Sequence, residues 1–198
     1  MRHLTLVAVV FLLLSCSKNN SKEVQYPISD FLENCSPQKK DKPISMIDSL
    51  NYISMSFPLG WDIEKVNEKS FNGIYSMDTS AFLNDNFIHT IQVNSVNTNN
   101  SLQSHFEAEL RGLKNDSIPI TEIGEVSINN QPARWIMTSR STEEGNFKDV
   151  LIYTGGTNPN QIIIIHLSVN DGKDFRKRLC QLKSIANSIE FLKQMQVS

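Results

Sequence analysis

Residues 161–169 read QIIIIHLSV, and the four consecutive isoleucines Ile162 to Ile165 make this the most apolar strand candidate in the chain. Unbroken apolarity, in place of alternation, marks a central strand buried on both faces. Two helical stripes are available to cover it. Ser101 is placed to cap a helix whose Leu102, Phe106, Leu110 and Leu113 recur near the helical period, and Asp174 to cap another carrying Phe175, Leu179, Leu182, Ile185, Ala186 and Ile189.

The remaining strands come in hairpins. Residues 51–57 alternate, with Ile53, Met55 and Phe57 on one face, until Pro58-Leu59-Gly60 breaks them and Trp61 and Ile63 restart an extended segment. Residues 71–77 and 87–96 favour strand, the second with Phe87, His89, Ile91 and Val93 on one side. Residues 118–128 lead into Asn129-Asn130, a pair tolerant of positive φ, and then into strand 133–141. Residues 143–146 turn again, and 148–154 form the hairpin partner. Hairpin-linked strands with long helices predict an α+β fold on an antiparallel sheet.

At 198 residues the chain is sized for one core. Residues 1–15 hold Arg2, an apolar run from Leu4 to Leu14, and Ser15 before Cys16. Its eleven residues, all apolar but Thr5, cover about 16 Å as a helix, against about 30 Å of hydrocarbon, so the run guides export without spanning. Leu13-Leu14-Ser15-Cys16 resembles the lipobox of bacterial lipoproteins. That resemblance implies lipidation of Cys16, removal of residues 1–15 and stable anchoring by a multiply acylated cysteine. The expected address is the cell envelope, at the periplasmic face of the outer membrane, with surface exposure as the alternative. Residues 17–23 (SKNNSKE) suit a flexible tether.

The net charge of −2 becomes −3 when Arg2 leaves, and the basic cluster Lys39-Lys40-Asp41-Lys42 is short and interrupted. A nucleic-acid partner is therefore not expected. Cys35 and Cys180 remain after processing; they either form a bridge closing a loop of about 145 residues or stay as separate thiols. Residues 35–43 read as linker and 26–32 as a short docking segment, so the organisation expected is a leader at 1–15, lipidated cysteine, tether and linker at 16–43, and one domain at 44–198.

The order of Tyr52 to Trp61 (YISMSFPLGW), an amphipathic helix, Ile128 to Arg134 (INNQPAR), a hairpin, an apolar strand and Asn187 to Phe191 (NSIEF) resembles the PsbP-like family over residues 51–192. The resemblance implies an antiparallel sheet between helices, an α-β-α sandwich, and no particular activity. Phe57, Trp61 and Ala133 in these motifs read first as packing residues.

No catalytic constellation stands out. His89, His105 and His166 lie on separate elements without H-x-x-x-H or C-x-x-C spacing, so no metal or cofactor is expected. G-x-S-x-G is absent, and Ser36-Pro37-Gln38-Lys39 matches S-x-x-K only within linker-like sequence. Glu143-Glu144 sits at a turn tip, where carboxyls are solvated, and Gly155-Gly156 opens a loop with no helix after it. The expected role is a membrane-tethered, non-catalytic accessory, assembly or protein-binding module with an envelope protein as partner. Its candidate surface is a cleft edge around Trp61, Trp135, Thr157 and Asn158. The alternatives are a lipoprotein binding a sugar, peptide or lipid, and an envelope enzyme using His166 or His105 as base.

Overall fold

The computed structural model describes residues 26–36, 43–48, 52–68, 71–79 and 88–192. The leader, Cys16, the tether, the Lys39–Lys42 cluster and Phe87 lie outside the described residues. In chain order the elements are β1 (Ile44–Ile47), β2 (Ile53–Phe57), β3 (Trp61–Glu68), β4 (Phe71–Asp78), β5 (His89–Asn97), α1 (Leu102–Asn115), β6 (Ile120–Ile128), β7 (Gln131–Thr142), β8 (Gly145–Gly155), β9 (Gln161–Asn170), α2 (Phe175–Ala186) and β10 (Glu190–Phe191).

Seven strands form one sheet in the order β3-β4-β5-β9-β8-β7-β6, and β1-β2-β10 form a small second sheet. Every pairing between these strands is antiparallel. Strand β9 occupies the middle of the seven, between β5 and β8, where both of its faces are covered. Its side chains divide by parity. Ile163, Ile165, Leu167 and Val169 join Leu179, Leu182, Ile185 and Ala186 of α2 in the larger core. Ile162 and Ile164 point the other way, toward Phe106 and Leu113 of α1. Helix α2 and the small sheet cover one face of the large sheet and α1 covers the other, giving the α-β-α sandwich. Each fully buried aliphatic side chain in these layers contributes about 1.5–3 kcal/mol.

Local chemistry explains the boundaries. Ser101 caps α1 by accepting the Ser104 N–H at 3.1 Å. Asp174 stands at the N-cap of α2 but makes no capping hydrogen bond, contrary to expectation. Its φ of −105° and ψ of 11° depart from the extended backbone that brings a capping oxygen to the first-turn amides. Asn129 and Asn130 turn β6 into β7 with φ of 46° and 62°, the left-handed pair that a two-residue hairpin requires. Gly60, at φ 87°, makes the corner between β2 and β3.

The folded body begins earlier than Ile44, the boundary expected from composition. Ser29 N–H donates to the Ile123 carbonyl at 2.8 Å and Ile123 N–H to the Pro27 carbonyl at 2.9 Å, so residues 27–29 extend the sheet beyond β6. The pairing is a parallel bridge of Ile28 with Ile123. Leu32 is wholly buried in the larger core, and Cys35 is disulfide-bonded to Cys180 on α2. Sequence alone left the pairing and the bridge open because Ile123 and Cys180, the partners of Ile28 and Cys35, lie 95 and 145 residues further along the chain.

Candidate functional site

The four residues expected to form a surface do not come together. Trp135 is wholly buried in the larger core, with its indole N–H donating to the Glu125 carbonyl at 3.3 Å. It shares an inward face of β7 with Ala133 and Met137, which the alternation of the strand dictates. Trp61 is half-buried at the start of β3, tilted against His89 with ring centroids 6.1 Å apart. Thr157 and Asn158 occupy the exposed loop between β8 and β9, at the opposite end of the sheet. From His89 to Val96 along β5 is seven residues, about 23 Å. Among the described residues these four therefore line no common cleft.

A groove forms elsewhere, between the N-terminal segment, β6 and the start of α1. Gly124 makes it possible. A Cβ at that position would stand 2.1 Å from the Ser29 carbonyl oxygen and 2.8 Å from the Trp135 ring, so only glycine lets segment and sheet approach this closely. Glu33 fastens the segment further by accepting the Ser127 N–H at 2.9 Å.

Phe106, Ile123 and the exposed Ile28 give the groove its apolar surface over a volume of about 390 Å³. An adjoining concavity of about 630 Å³ continues past Leu102 toward Pro132 and Asn130, sharing Glu33, Glu125 and Arg134 with the first. Arg134 lies across the Phe106 ring, 4.2 Å from its centroid, and donates to Gln103 of α1. Beneath the helix, burial, followed by the charge and hydrogen bond of Glu109, pushes the Tyr153 phenol well above its ordinary range.

The same face of the large sheet carries a polar cluster beyond the end of α1. Asp149 accepts from Arg140 Nε at 2.9 Å and pairs with His166 Nε2 at 3.1 Å. Burial by itself would raise the Asp149 carboxyl, but hydrogen bonds from His166, Arg140 and Ser168 outweigh it and hold the group well below the usual carboxylate range. The arrangement orients the His166 ring, as a base of the kind considered from sequence would need. His105 stands apart on α1 against Tyr153, ring centroids 5.9 Å apart. His89 is buried on the opposite face, near Asp78. Among the described residues no three His, Cys, Asp or Glu side chains converge as a metal site, and no helix is long and apolar enough to cross a membrane.

Fold and topology together define a Mog1/PsbP-like α+β domain, so the sequence resemblance holds at the level of the fold. No protein-family model matches the chain, and no curated protein sequence does. Among solved structures, it is similar to a Bacteroides thetaiotaomicron protein, with a TM-score of 0.52 and 16% identity over 76% of this chain and 48% of that one. The chain thus spans about half the length of that protein. It is also similar to the Ran-binding protein Mog1p of Saccharomyces cerevisiae, with a TM-score of 0.51 and 9% identity over 76% of this chain and 95% of that one. LpqN, involved in cell envelope biogenesis of Mycobacterium tuberculosis, aligns with a TM-score of 0.48 and 13% identity over 84% and 97% of the two chains. At these identities the first two likenesses establish the fold alone.

Proposed function

We propose that this protein is a lipid-anchored lipoprotein of the cell envelope, PsbP-like in family as well as fold, whose domain is a non-catalytic binding module for another envelope protein. The observation that carries the reading is the groove on the β6 side. It is open to solvent and has both an apolar surface and charged side chains, as protein-contact sites do. The lipobox at residues 13–16 supports the address. Both faces of the large sheet are filled by packed side chains, so binding is assigned to this surface and not to the sandwich interior. The Asp149 cluster is read as structural, since its carboxylate is shared among Arg140, His166 and Ser168.

The test is crosslinking in intact cells, comparing the native protein with a Cys16→Ala variant that loses the anchor. A stoichiometric envelope partner captured by the first and lost with the second is the expected result. Membrane-localised protein that captures nothing at adequate expression would move the assignment to a small ligand.

A further inference from the structure

We infer that the groove receives a cationic segment bearing apolar side chains, presented by a protein at the membrane surface. This rests on the binding-module reading above and specifies its partner. Asp30, Glu33 and Glu125 line the groove, and none of the three carboxylates has an ion-pair partner among the described residues. The cation beside them, Arg134, is engaged with Phe106 and Gln103. One neighbouring acid is neutralised: Glu122 on the same strand pairs with Arg176. The groove therefore sets three carboxylates against one guanidinium, an excess of negative charge, beside Phe106, Ile123 and an Ile28 that is 79% exposed. A lysine or arginine flanked by an aliphatic or aromatic side chain complements both features, whereas an acidic segment is repelled.

Chain length sets where that segment comes from. Residues 26–36 are held to the domain by backbone hydrogen bonds, Leu32 and the disulfide, so ten residues of sequence separate Cys16 from the anchored segment at Tyr26. Ten residues extend at most about 35 Å, whereas a tether reaching to Ile44 would extend about 95 Å. The groove, lined by Ile28, Asp30 and Glu33, lies at the tethered end of the domain and works close to the lipid surface.

The experiment uses the full lipidated chain in nanodiscs of phosphatidylcholine, whose headgroups carry no net charge, with the signal from empty nanodiscs subtracted to remove partitioning of leucine side chains into the bilayer. Fluorescent peptides of alternating leucine and lysine, and of alternating leucine and glutamate, are titrated and followed by anisotropy. The lysine peptide is expected to bind at least about tenfold more tightly, and the Glu33→Gln/Glu125→Gln variant to lose about that factor. The amide introduced by Glu33→Gln retains an oxygen to accept the Ser127 N–H, and an unchanged Tm verifies the fold. Ile28→Ser, at an exposed position, tests the apolar contribution and is expected to weaken the lysine peptide several-fold. Equal binding of the two peptides, or a folded double variant that binds like the parent, overturns the inference. An envelope partner captured in the crosslinking experiment alongside that failure would leave the binding-module reading standing and remove only the cationic segment.

Discussion

The Ser188 hydroxyl accepts the backbone N–H of Ser56 at 3.0 Å, joining residues 132 positions apart. Its oxygen also lies 3.1 Å from the Ser56 carbonyl and 2.6 Å from that of Ile185, the two acceptors open to its single proton. Next to it, Asn129 Nδ2 donates to the Ile189 carbonyl at 2.7 Å, and Phe191 pairs with Ile53 of β2. The three motifs that suggested a family thus meet at one corner, where the small sheet, the β6–β7 hairpin and the end of α2 join. They are structural residues, as their packing character in the sequence indicated.

Replacing Ser188 with alanine leaves the Ser56 amide without that partner. The expected loss is about 1–3 kcal/mol, read as a lower urea midpoint with an unchanged slope. An unaltered midpoint would show that water replaces the hydroxyl.

Gly124→Ala places a methyl group against the Ser29 carbonyl and the Trp135 ring. Residues 26–36 are expected to lift from β6, with about 1–3 kcal/mol lost. Hydrogen exchange reads this directly: the Ser29 and Ile123 amides should lose protection while β9 amides keep theirs.

Cys35→Ser removes a link closing 145 residues of chain. Stability should fall by about 2–5 kcal/mol, and reductant should destabilise the parent protein but not the variant. Coincident unfolding curves for parent and variant would argue against a structural role for the bridge.

Acid should weaken the fold in two separate windows. Burial holds the His89 imidazole below its ordinary value of 6.5, ahead of opposing contributions from the Arg178 carbonyl hydrogen bond and the charge of Asp78. Its contribution is intact above about 6.5 and is lost as pH falls from there toward the folded value. Asp149 is also depressed from its ordinary 3.8, so its contribution is intact above about 4 and is lost only in stronger acid. Urea midpoints measured across pH should show both declines. His89→Gln should flatten the upper one alone, and Asp149→Asn the lower one.

Much of the fold was legible because it rests on local periodicity. The isoleucine run located the middle strand, the asparagine pair marked a two-residue hairpin, and Ser101 marked the start of α1. Trp135 belongs to the core and not to the expected surface, and the strand carries the signal: Ala133, Trp135 and Met137 alternate with Arg134, Ile136 and Thr138, so the tryptophan shares its face with apolar neighbours on both sides. The groove offered no comparable signal. Asp30, Glu33, Glu125 and Arg134 read along the chain as ordinary solvated charges.

By itself the sequence determined the α+β class, the two-sided burial of β9 and the turns, since each depends on the side-chain period and backbone preferences of neighbouring residues. Only the tertiary structure decided where the domain begins, which cysteines meet and where the groove lies. Those features need residues 28, 35, 106 and 134 brought beside partners far along the chain. Such meetings are decided by the packing of whole layers, which no local pattern encodes.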